Sequence, residues 1–116
     1  MARGRTGSAQ RSAAPVFTAL GDETRLRIVA RLCREGPLSI ARLTDGTQLS
    51  RQAISKHLRV LANAGLAHSE RHGREQIWQV EARRLDAVRR YLADISAQWD
   101  RALARLQAQV ETQQAQ

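Results

Sequence analysis

Five hydrogen-bond donors fall within nine residues near the middle of the chain: Arg51, Gln52, Ser55, Lys56 and Arg59. Their chemistry is recognition rather than bond-making. An arginine fork matches the two acceptors of guanine, a glutamine amide matches adenine, and lysine or serine bonds a phosphate oxygen. Ile54, Leu58 and Leu61 thread through the same stretch at i, i+4 and i+7. That spacing predicts one helix with an anchored face and a donor face. Ser50 stands where an N-cap hydroxyl is wanted, and Gly65 where a helix end takes a left-handed residue. His57 lies near the border of the two faces, where packing and binding compete for it. A second basic group, Arg71, His72 and Arg74, follows at a short polar turn, which is expected to reach a DNA backbone or minor groove.

Other chemistries find little support. There is no Gly-rich phosphate loop and no evident pairing of a nucleophile with a base, so an enzyme is not expected. Thiolate and imidazole ligands are limited to Cys33, His57, His68 and His72. His68 and His72 share a hairpin, with no further ligand spaced to complete four-coordination. No metal and no cofactor are expected. The single cysteine rules out an intrachain disulfide, and Cys33 is expected to be a small core residue. The net charge of +8 points to a polyanionic partner, double-stranded DNA above all. No signal peptide is evident, and no apolar run approaches the ~18 residues of a membrane span. A cytoplasmic protein without membrane contact is the expectation.

The elements that must position the donors read in order as follows. Residues 1–13 have no apolar period and are expected to be a disordered basic tail. Pro15 to Leu20 reads as a short helix burying Phe17 and Leu20. Asp22 caps a second helix, Glu23 to Arg34, with Leu26, Val29, Leu32 and Cys33 inward and Ile28 at the margin. After the Gly36-Pro37 break, Ser39 caps a third helix from Ile40 to Thr44 or Asp45. Gly46 to Leu49 then turns into the donor-bearing helix, which makes a helix-turn-helix. Leu66 to Arg71 and Glu75 to Val80 read as a hairpin with Trp78 and Val80 inward. A final helix, about residues 82–110, carries Leu85, Val88, Leu92, Ile95, Trp99, Leu103 (or Ala102), Leu106 and Val110 at steps of three and four. Residues 111–116 are expected to fray. Such a stripe exceeds what a small core covers, so a symmetric dimer is expected through Phe17, Leu20, Leu92, Ile95, Trp99, Leu103 and Leu106. The fold class is mainly α with a small β-hairpin, in the order α-α-α-α-β-β-α. The core domain spans residues 14–110.

Three segments carry a family resemblance. They are Phe17-Thr18-Ala19-Leu20-Gly21-Asp22-Glu23-Thr24-Arg25-Leu26-Arg27-Ile28, the run Ser50 to Leu66 with its Ser-x-x-Ala-Ile-Ser-x-His-Leu core, and Gly73 to Val80. In this order and spacing, and with the terminal helix, the chain resembles the ArsR family of bacterial winged-helix transcriptional regulators over residues 16–110. The resemblance implies a homodimeric repressor on an imperfect palindrome near a promoter, often its own. It implies that Ser50, Gln52, Ser55 and His57 face DNA and that Arg71 and Arg74 belong to the wing. Metal sensors of the family carry Cys-x-Cys near the third helix, or Asp, His and Glu on the last. Here Leu38 to Leu43 has no cysteine and the last helix no histidine, so the metal-free branch is the better match. The effector is left unknown. The rival readings are a derepressor gated by a small molecule or by a thiol oxidant at Cys33, and a sequence-neutral architectural DNA binder.

Overall fold

Alternation of capped helices with one two-residue β-turn dictates the architecture. The structure, a computed structural model, describes residues 2–115, with side-chain surroundings from Arg11 onward. Its elements are α1 (Ala2–Leu20), α2 (Glu23–Glu35), β1 (Leu38–Ser39), α3 (Ile40–Thr44), α4 (Arg51–Asn63), β2 (Ala67–His72), β3 (Glu75–Val80) and α5 (Ala82–Ala115).

Each cap follows from a side chain at the right position. Asp22 accepts the Arg25 amide, Ser39 the Arg42 amide and Ser50 the Ala53 amide. These bonds satisfy donors that a helix start otherwise leaves unpaired. The end of α4 closes by two bonds, from Gly65 N–H to the Ala62 carbonyl and from Leu66 N–H to the Leu61 carbonyl, both 2.9 Å. With Gly65 at φ 76° this is a Schellman motif, and it turns buried Leu66 back onto Leu61. The β2–β3 hairpin pairs His72 with Glu75, leaving Gly73 and Arg74 as its loop. Gly73 has φ 64° and Arg74 no positive φ, as a II′ connection requires.

The core gathers Val16 and Ala19 of α1, Ile28, Val29 and Leu32 of α2, Leu43 of α3, Ile54, Leu58 and Leu61 of α4, and Val88 of α5. Trp78 and Val80 pack against it as expected. Several expectations fail. The helix at the start runs from Ala2 rather than from Pro15, with Pro15 inside it, and residues 2–13 are helical rather than a disordered tail. The last helix continues to Ala115 instead of fraying from 111. Met1 and Gln116 lie outside the described residues. Leu26 is 51% exposed and Cys33 is exposed, while Ile28 is buried. A third strand, β1, pairs Leu38 with Trp78 and Ser39 with Ile77, giving the sheet order β1-β3-β2.

The last helix makes the molecule long. Its 34 residues rise by about 1.5 Å each, or about 50 Å in all. The radius of gyration is 19.5 Å, against about 13 Å for a compact chain of this length. Only the first turns of α5, through Leu85, Val88 and Tyr91, pack on the rest of the chain. Phe17 meets Tyr91 with ring centroids 5.8 Å apart, tilted by 50°.

Candidate nucleic-acid interface

Helix α4 holds its inner face rigidly, because Ile54, Leu58 and Leu61 are all at most 1% exposed. At about 100° per residue, Gln52, Lys56, Arg59 and Asn63 point almost opposite to that anchor, and all four are exposed. Arg51 is also exposed but lies toward the flank, at the first turn; Ser55 is half-buried on the same flank. Ser50 serves as the N-cap, its hydroxyl accepting the Ala53 amide at 3.1 Å. Asn63 is a donor that the linear reading missed, since it stands in the last turn beyond the basic cluster.

His57 is the correction on this helix. It does not share the outer face. Its Nδ1 lies 3.3 Å from Arg25 Nη1 and 3.9 Å from Asp22 Oδ2, at the start of α2. About 100° beyond Lys56, the side chain turns toward the neighbouring helices.

The charges are unevenly compensated. On α2, Arg27 pairs with Glu23, and Arg31 and Arg34 pair with Glu35. On α5, Arg89 and Arg90 pair with Asp86. Helix α4 contains no acidic residue. Among the described residues, Arg51, Lys56, Arg59, Arg71 and Arg74 form no ion pair within 4.0 Å. Acidic partners thus quench part of α2 and the start of α5, whereas the α4 face has no acidic side chain on its own helix and presents a field that attracts a polyanion; the hairpin mixes Arg71 and Arg74 with Glu70 and Glu75. At the hairpin, Arg71 Nε reaches the Gly73 carbonyl at 3.4 Å, and His72 stands 3.6 Å from Glu70.

Arg31 fixes the turn before α4. Its Nη1 donates to the carbonyls of Leu43 and Asp45, both at 3.2 Å, and its Nε to Glu35 at 2.7 Å. That bond holds the Glu35 carboxyl below its ordinary range. The Arg25 amide, then the charge of Arg25, do the same for Asp22. Neither arginine stood out in the sequence, since each acts on partners far along the chain. Among the described residues no group of three or more His, Cys, Asp and Glu side chains is gathered as a metal site. No helix there is long and apolar enough to cross a membrane.

Comparison with known proteins agrees with this geometry. A family model described as a helix-turn-helix domain matches residues 20–70. The HTH-type transcriptional regulator Rv2034 of Mycobacterium tuberculosis is 38% identical over 96 residues, 83% of this chain and 86% of that protein. The arsenic resistance transcriptional regulator ArsR1 of Pseudomonas putida is 32% identical over 72% of this chain and 68% of that protein. An ArsR-like transcriptional regulator from Rhodococcus sp. RHA1 superposes with a TM-score of 0.72 at 39% identity, covering 85% of this chain and 92% of that one. The chain belongs to the ArsR family. As an ArsR-family regulator it is a DNA-binding transcription regulator and not an enzyme, with α3–α4 as its helix-turn-helix and β2–β3 as its wing.

Proposed function

We propose that this regulator acts as a homodimeric repressor. Two copies pair through α5 and set their α4 helices into successive major grooves of an imperfect palindrome, about 34 Å apart. The observation that carries this is the uncovered apolar stripe of α5. Leu92, Trp99, Leu103, Leu106 and Val110 are 49–68% exposed, and Ile95 lies half-covered between them. A two-fold partner covers the same stripe on both copies at once. Phe17 and Leu20, packed on their own core, border the interface from α1.

In that dimer Arg51 and Gln52 read base edges, while Ser55, Lys56 and Arg59 fix register on phosphates. Arg71 and Arg74 add salt-dependent affinity from the wing. Occupying a promoter, its own included, excludes polymerase. The test is to select sheared genomic DNA with purified protein at about 0.15 M salt and sequence the bound fraction. Enrichment of one palindrome with half-sites a helical turn apart is the expected result. Even recovery of all fragments would overturn sequence specificity and support an architectural binder.

A further inference from the structure

Three side chains join the start of α2, the end of α1 and the middle of α4. Asp22 accepts the Arg25 amide at 3.0 Å. The Arg25 guanidinium turns back, donating from Nε to the Ala19 carbonyl in the last turn of α1. Its Nη1 lies 3.3 Å from His57 Nδ1. The His57 and Asp22 side chains are 24% and 35% exposed, so water reaches the cluster only in part.

The chemistry of the 3.3 Å contact is one-sided. Guanidinium offers five N–H donors and no acceptor. Arg25 therefore bonds His57 only while Nδ1 carries no proton. Protonating Nδ1 removes the acceptor and sets two cations side by side. Asp22 Oδ2, 3.9 Å away, then becomes the natural partner, and reaching it requires the imidazole to move about 1 Å. Asp22 and Arg25 of α2 are the charged groups facing His57. From α1 the Ala19 carbonyl reaches the cluster, and among the described residues no charged side chain of α1, α3 or the sheet bonds to His57.

We propose that Arg25 is a positioning residue for DNA binding: it holds α4 in its docking orientation through unprotonated His57, and protonation of His57 releases that hold. The inference rests on α4 being the helix that meets DNA. His57 sits between Lys56 and Arg59 in the chain, so the contact with Arg25 adds a polar fixed point to the helix whose inner face Ile54, Leu58 and Leu61 anchor. Arg25 also grips the last turn of α1. The orientation of α4 is thereby tied to the helix whose Phe17 leans on α5.

The experiment measures the dissociation constant of full-length protein, with the most enriched fragment of the genomic selection as probe. Salt is fixed and pH runs from about 8 to about 5.5, the span in which histidine titrates. Arg25→Ala should weaken binding at pH 8 by about tenfold, the scale of a lost hydrogen bond to a charged group. Arg25→Lys should recover part of that, because one ammonium serves one of the two acceptors. Wild-type affinity should drop toward acid relative to His57→Gln, whose amide cannot titrate. His68 and His72 are common to both proteins, so the difference isolates His57. Arg25→Ala with wild-type affinity, or His57→Gln with an unchanged pH profile, overturns the proposal. Where Arg25→Ala fails to fold, judged by circular dichroism, the His57→Gln profile alone decides. Where selection enriches nothing, the recognition reading has failed separately, and the same pH comparison on sheared genomic DNA decides the role of Arg25.

Discussion

Gln52 and Lys56 occupy the same exposed face of α4 yet should answer differently to truncation. An amide that pairs with one adenine carries sequence information; an ammonium on a phosphate carries none. Gln52→Ala should relax preference at one operator position by about 1–3 kcal/mol, and Lys56→Ala should weaken all sequences alike and lower the salt slope by about one. Competition binding against single-base operator variants at several salt concentrations separates the two, and a uniform loss for Gln52→Ala would remove it from base reading. The face itself was legible in the sequence, because its period and both caps are local. Helix α2 was read with the wrong rotation. Its inner face is Arg25, Ile28, Val29 and Leu32, within about 100° of one another, whereas Leu26 and Cys33 lie beyond that arc. A guanidinium on the buried side is invisible to an apolar count, and two exposed apolar residues pulled the reading round. Ion pairs and hydrogen bonds across 12 to 32 residues, as at Arg31 and Arg25, leave no local trace.

The elements differ in how firmly their ends are fixed. The C-terminus of α4 depends on Gly65, whose φ of 76° suits glycine. A Cβ there would also come within 2.9 Å of Arg84 Nε, a flexible end that can move aside. Gly65→Ala should therefore cost about 1–2 kcal/mol, the penalty of a left-handed alanine. Urea denaturation with an unchanged slope checks this; an unchanged midpoint would mean that the turn tolerates a Cβ. Strand β1 escaped the sequence because two residues show no alternation and Ser39 already announced a helix cap. The helical extent of α1 escaped as well: Pro15 and a Gly-, Ser- and Arg-rich start argue for a break, yet the structure carries the helix through them.

For the whole molecule the deciding surface is the α5 stripe. Its spacing was plain in the sequence, but not how little of it the chain covers itself. A carboxylate buried between two copies is costly, so Trp99→Asp should leave the protein folded and shift it to monomer in sedimentation at micromolar concentration, with loss of palindrome binding. A dimer that persists would place the interface elsewhere. One small feature governs how the assembled reader meets its target. Ser39 is at once the last residue of β1, paired with Ile77 of the wing, and the cap of α3, accepting the Arg42 amide at 3.2 Å. The wing and the helix-turn-helix are thus tied through β1, where Ser39 and its neighbour Leu38 are both buried and paired with the wing strand. They approach the double helix as a two-pronged fork of fixed gauge, so the ordering entropy is lost when the chain folds and not when it finds its site. A fork of fixed gauge also leaves the duplex to do the bending, and operators whose steps deform easily should be favoured at positions no side chain touches.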